Sequence, residues 1–307
     1  MKTFLTILSF FFIQSVFAQN NNAYKHDSLQ VEGQYVHYYT KGKGPAILYL
    51  QGGPGFSSDN MRAIADSISN YRSVLIDYRG TGKSIANKPD STWVGYNQIL
   101  QDVEAVRKKL TIEKWIVTGH SFGGQFTMYY AIKHPQVVTR IIPVSSAPPK
   151  NDFMNYYKET LWMRYSPEEM DELRNLAQDT SLTELEKKKR RIYLDNVPYF
   201  YNRANISKLF ILYPNATDDN FMNWTYFFAF LKSPEYARFD YTKEYLNLPI
   251  PVRNIMPRQD AVNDGELLLL NSKQKNGKMI YIERSGHIPW IENPNDFFRV
   301  FKESLTD

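Results

Sequence analysis

The chain of 307 residues contains no cysteine. That excludes a disulfide framework, a thiol nucleophile and a lipid-attachment cysteine. Histidine is scarce too, five in all, with no H-E-x-x-H and no clustered ligand spacing, so no metal site is expected. There is no internal repeat, and past the leader no apolar run approaches the roughly 20 residues that cross a bilayer. Charge of one sign does not dominate either, with 37 basic against 32 acidic residues. The densest basic run, Lys187-Lys188-Lys189-Arg190-Arg191, follows Glu184 and Glu186 and reads as a solvated helix face, so nucleic acid is not an expected partner. A cofactor is not expected: Gly80-Thr81-Gly82-Lys83-Ser84 imitates the end of a phosphate loop, but Asp77 stands where that pattern requires its first glycine.

Lys2, the apolar stretch Phe4 to Ile13 and the small-residue ending Val16-Phe17-Ala18 predict a signal peptide over residues 1–18. The protein is then exported, secreted or periplasmic, and keeps no stable membrane anchor once the leader is cleaved.

Beyond the leader, strand-like and helix-like stretches alternate. Tyr35 to Thr40, Pro45 to Leu50, Tyr71 to Tyr78, Lys114 to Gly119 and Arg140 to Val144 read as strands. Met61 to Ile68 and Gly123 to Lys133 read as helices, and Ile99, Val103, Val106 and Leu110 mark one face of another. The alternation stops near Ala147-Pro148-Pro149 and resumes with the strand Val252 to Met256, the helix Gly265 to Asn271, the strand Lys278 to Glu283 and the helix Asn295 to Leu305. The pattern predicts an α/β class chain, a mostly parallel sheet with helices on both faces. Residues 19–149 and 249–307 form its core, and 150–248 form an inserted helical cap over the carboxyl edge of the sheet, where ligands bind in such folds.

Gly119-His120-Ser121-Phe122-Gly123 matches G-x-S-x-G between a strand and a helix. Side chains two residues either side of a serine in so sharp a turn would clash, and the serine then sits at a helix N-terminus that favours developing anions. Ser121 is the expected nucleophile. Of the histidines, His26 and His37 precede the core strands, His120 adjoins the nucleophile and should leave the turn in another direction, and His134 ends a helix. His287, at the carboxyl end of the last expected strand, is the expected base. The acid should fall between serine and histidine in the chain, and Asp260, after the strand ending at Met256, fits best, with Asp264 second. For the oxyanion hole the N–H of Phe122 is expected together with one from Gln51-Gly52-Gly53-Pro54-Gly55, Gly53 ahead of Gly52.

Taken together, Gly52 to Gly55, Asp77-Tyr78-Arg79-Gly80-Thr81-Gly82-Lys83-Ser84, Gly119 to Gly124, Arg258-Gln259-Asp260 and Gly286-His287 with Glu292 and Pro294 resemble the proline iminopeptidase-like branch of the α/β-hydrolases. The resemblance implies an α/β-hydrolase fold with a substrate-selecting cap, a bracing role for Asp77 to Ser84, and an aminopeptidase acting on small-molecule or short-peptide substrates. It also implies cap carboxylates that bind a free amino terminus, for which Glu159, Glu168, Glu169 and Glu235 are candidates. Three positions depart from the branch: Gln51 where histidine is usual, Gly-His-Ser-Phe-Gly in place of Gly-Gly-Ser-Trp-Gly, and Pro257 in place of glycine. A carboxylesterase for small apolar esters and a noncatalytic binding protein on this scaffold are the alternative readings. Most cap aromatics should pack the cap onto the core, and a few should line a pocket over Ser121.

Overall fold

The computed structural model describes residues 23–85, 93–262 and 264–307, without the side chain of Asp264. The expected leader, residues 1–18, lies outside the described residues.

Short runs rich in β-branched and aromatic side chains set the centre of the molecule, because such runs pair as strands covered on both faces. The strands are β1 (Lys25–Val31), β2 (Gln34–Lys41), β3 (Ala46–Leu50), β4 (Arg72–Ile76), β5 (Trp115–His120), β6 (Val138–Val144), β7 (Val252–Pro257) and β8 (Gly277–Ile282). Among the described residues they form one sheet in the order β1-β2-β4-β3-β5-β6-β7-β8. β2 lies antiparallel to β1 and to β4, and the remaining pairs are parallel.

Helices connect and cover the strands: α1 (Arg62–Asp66), α2 (Tyr96–Lys109) and α3 (Phe122–Lys133), then α4 (Met154–Trp162), α5 (Pro167–Asn175), α6 (Glu184–Asn196), α7 (Lys208–Leu212), α8 (Trp224–Leu231), α9 (Pro234–Ala237) and α10 (Thr242–Leu246), and finally α11 (Asp264–Lys273), α12 (Pro289–Glu292) and α13 (Pro294–Ser304). Alternation along the strands splits the core in two. Leu48, Leu50, Val74, Ile76 and Val117 pack with Ile99, Val103 and Val106 of α2 and Phe126 and Tyr130 of α3. Ile47, Tyr49, Leu75 and Ile116 face the other way, onto Phe297, Val300 and Phe301 of α13. At roughly 1.5–3 kcal/mol per fully buried large apolar side chain, this sandwich is what fixes the loops at the strand ends.

Two expectations are corrected. His26 and His37 do not precede the sheet; they lie in β1 and β2, stacked with ring centroids 5.1 Å apart. The helix expected over Met61 to Ile68 is a 3₁₀ turn, Ser58–Met61, running into the short α1.

Asp77 to Ser84 is a brace. Asp77 accepts the N–H groups of Ser58 and Lys83, both at 2.9 Å. Arg79 donates to both oxygens of Asp102 on α2 at 2.8 and 2.6 Å, with both side chains buried.

Between β6 and β7, helices α4 to α10 carry the chain, and among the described residues no strand interrupts them. α5 and α6 each open with a capping box, Ser166 with Glu169 and Thr183 with Glu186. The basic run lies on α6, and four of its five charges are paired: Lys187 with Glu184, Lys188 with Asp219, Arg190 with Glu172 and Arg191 with Asp195. Among the described residues no helix is long and apolar enough to cross a membrane.

Candidate active site

β5 ends in a turn so tight that Ser121 is held at φ 57°, ψ −119°, a conformation that L side chains rarely adopt. Steric demand explains both flanking glycines. A Cβ on Gly119 would lie 2.2 Å from the carbonyl oxygen of Gly123, and one on Gly123 would lie 2.2 Å from that of Leu50. Ser121 is the N-cap of α3, so its side chain stands beside the helix's unpaired N–H groups.

His287 follows β8, as expected. Its Nδ1 lies 2.9 Å from both carboxylate oxygens of Asp260, in the loop after β7. The Asp260 side chain is 1% exposed and that of His287 8%, so the pair is held out of water. Oδ1 of Asp260 also accepts the Val262 N–H at 2.9 Å, which fixes the carboxylate plane. Asp264, the second candidate, opens α11, and its side chain lies outside the described residues.

Ser121, His287, Gly53 and Phe122 all line one cavity of about 530 Å³. Phe122 is the first residue of α3, so its N–H has no acceptor within the helix. The N–H of Gly52 is taken by Oδ1 of Asn60 at 3.1 Å, which favours Gly53 over Gly52 as the second donor. Phe56, Phe153, Tyr157, Tyr199, Phe221, Trp224 and Phe227 build the walls. Other cap aromatics lie elsewhere: Tyr226 and Phe230 are buried in the core, while Trp162, Tyr201 and Phe228 are about half exposed.

The four cap glutamates do not line this cavity among the described residues. Glu235 is held by Asn97, Glu169 by Ser166 and Arg203, and Glu168 sits in the first turn of α5. Glu159 lies on the exposed side of α4. Carboxylates reach the cavity instead from Asp195, Asp218 and Asp219. Burial pushes the Asp195 carboxyl above its usual range, against the pull of Arg191 2.8 Å away.

Several residues that sequence reasoning did not single out hold the site together. His120 leaves the turn toward the His287 loop. It is buried, its ring lies 4.6 Å from that of His287, and its Nε2 meets the His287 carbonyl at 2.9 Å. Burial, and then the neighbouring His287, hold its imidazole well below the usual range, so Nε2 carries the hydrogen it donates. Arg164 of the cap donates to the carbonyls of Pro198, Gln259 and Asp260 at 3.0, 2.8 and 2.9 Å. Glu292, noted above only as a family match, accepts the N–H groups of Gly286, Tyr201 and Asn202 at 2.6, 3.0 and 2.8 Å, tying the His287 loop to the cap. A charged side chain among backbone carbonyls or amides leaves no periodic trace in a sequence.

A strand–serine–helix turn, a buried Asp–His pair from the ends of β7 and β8 and a helical insertion lining the same cavity define the class, and the chain belongs to the alpha/beta hydrolase fold family, which residues 45–294 match. Within it, the likeness is to proline iminopeptidases. The proline iminopeptidase of Saccharolobus solfataricus is 24% identical over 284 residues, covering 88% of each chain. That of Xylella fastidiosa is 32% identical over 126 residues, 39% of each chain. The chain spans 36 to 39% of the length of the first curated relatives that it matches. Among solved structures, a proline iminopeptidase-related protein of Thermus thermophilus superposes with a TM-score of 0.72 at 21% identity, covering 92% of this chain and 97% of that one.

Proposed function

We propose that the protein is a serine hydrolase that cleaves an amide or ester bond through an acyl-serine intermediate. The observation that carries this reading is that His287, backed by the buried Asp260, lines one cavity with a serine on a strained turn. In the proposed reaction Oγ of Ser121 attacks the carbonyl carbon as His287 takes its proton. The N–H groups of Gly53 and Phe122 hold the resulting oxyanion. His287 then gives the proton to the leaving nitrogen or oxygen, and water releases the acyl group by the same steps in reverse order. Asp260 keeps the tautomer of His287 and stabilises its cation without taking the proton.

Within that chemistry, an aminopeptidase of the proline iminopeptidase kind is favoured by the curated relatives. Its substrate is a small molecule or a short peptide with a free amino terminus, and Asp195 is the partly buried carboxylate that meets the ammonium group. An esterase for apolar acyl groups is the second reading. It is favoured by the aromatic walls and by the cationic partners Arg191 and Lys188 already on Asp195 and Asp219.

Prolyl-arylamide with and without an N-acetyl group, run beside a short-chain aryl ester, separates the two. Acetylation removes the ammonium charge that a carboxylate would meet, so it should strongly lower cleavage by an aminopeptidase. Equal rates on the two amides remove the aminopeptidase reading, and fast ester turnover with neither amide cleaved establishes the esterase. A noncatalytic role requires that no substrate turns over and that a serine-directed phosphonate leaves Ser121 unlabelled. Export is proposed on the leader-like residues 1–18; a mass matching a start near Gln19 in protein from the native cell supports it, and retention of Met1 to Ala18 opposes it.

A further inference from the structure

The loop that carries Gly53 does not stand alone. Its next residues pair with the segment just before cap helix α8: the N–H of Ser57 donates to the carbonyl of Phe221 at 2.8 Å, Phe56 and Met222 form an isolated antiparallel bridge, and the N–H of Asn223 donates to the carbonyl of Gly55 at 2.8 Å. The side chain of Asn223 completes the joint. Its Oδ1 accepts the N–H of Tyr226 at 3.1 Å and so caps α8, while its Nδ2 donates to the carbonyl of Gly80 at 2.7 Å. Gly80 has φ +89°, and a Cβ there would lie 2.2 Å from the ring of Tyr226, so the brace loop and α8 are in direct contact. One asparagine therefore touches the loop of Gly53, the loop of Arg79 and the start of a helix whose Trp224 and Phe227 line the cavity.

We propose that Asn223 is a positioning residue that locks the Gly53 loop to cap helix α8, so that the oxyanion donor and the cavity wall move as one body. This rests on the serine hydrolase reading above. An oxyanion donor works only if its N–H already points where the charge will form, and loss of one such donor lowers kcat about 10²–10³-fold. A loop freed from its anchor loses part of that effect.

The test uses Asn223→Asp and Asn223→Ser. Both keep a side-chain oxygen that caps a helix, and both lose the amide donor to Gly80; the serine variant carries the test if the aspartate variant does not fold. Expected is a fall in kcat on an aryl ester of about tenfold to a hundredfold, with KM little changed and the rate of phosphonate labelling at Ser121 falling in step. Hydrogen exchange at the Ser57 amide should quicken in the same variants. A folded variant with wild-type kcat, or one in which only KM changes, overturns the proposal. If the wild type itself neither labels at Ser121 nor turns over any substrate, the hydrolase reading falls, and the exchange measurement alone decides the lock: unchanged protection at Ser57 overturns it.

Discussion

The sheet and the helical cap are built on different principles and meet at the same loops. In the sheet, side chains alternate between two dry layers, and in the brace loop beside it even a charge, Arg79, is buried against its partner Asp102. In the cap, helices are short, capped by their own serines and threonines and joined by surface ion pairs, and Met163 and Ile211 are 84% and 82% exposed. Segments with little burial open at lower cost than a sheet does. Yet Arg164 holds the Asp260 loop, the carbonyl of Tyr199 accepts the His287 N–H at 2.7 Å, and Asn223 meets the Gly53 loop. A cap expected only to select substrate also braces the loops that carry the proposed acid, base and oxyanion donor.

The largest effect should come from the core alone. Ser121→Ala should lower turnover by about 10⁴-fold or more while the circular dichroism spectrum is unchanged; near-normal turnover removes the nucleophile assignment and with it the contrast. Next, Asp102→Asn leaves Arg79 buried without its full partner and should cost about 3–5 kcal/mol in urea unfolding. A loss as small as that of a surface pair would mean that the core does not depend on dry pairing. Third, Arg164→Ala tests the cap's part in the frame. A loop displaced by about 1 Å costs up to about 10²-fold, so kcat should fall tenfold or more, and lysine should not rescue it because one ammonium cannot span three carbonyls. A drop in melting temperature with kcat intact would reduce Arg164 to a packing residue.

The smallest effect is one of pH. Burial, and then His287, keep His120 neutral in the fold, well below its usual 6.5. The unfolded chain gains a proton there as pH falls through that value and the folded chain does not, so stability is lost on the acid side by up to about 1.4 kcal/mol per pH unit. His37 and His134, also depressed by burial, act in the same direction. His120→Gln should flatten the decline in unfolding free energy between about pH 7 and about pH 5. A variant that declines as steeply as the wild type assigns the acid sensitivity to other groups.

What could be read from the sequence follows the same division. Strands β3 and β5 and the turn at Ser121 are legible because burial on both faces and two sterically required glycines leave a pattern. Chain order alone puts Asp260 and His287 at the ends of successive strands. Strand β1 is not legible: Lys25-His26-Asp27-Ser28 lies at the exposed sheet edge, where nothing apolar is required. The resemblance points to cap glutamates, but it is Asp195, Asp218 and Asp219 that reach the cavity, through the path of the cap chain, which no local pattern encodes. Asn223 did leave a trace, as a capping residue before the apolar run Trp224–Leu231.

The position of β8 bears on the order of synthesis. This last strand pairs with β7 and forms the edge of the sheet, and His287 lies just beyond it. On a ribosome the proposed nucleophile, the proposed acid and the whole cap emerge before the proposed base. A chain ending at β7 would hold Ser121 without the histidine proposed to take its proton. On the proposed mechanism hydrolysis therefore waits for β8 and His287, and the core layer beneath them closes only when α13 follows.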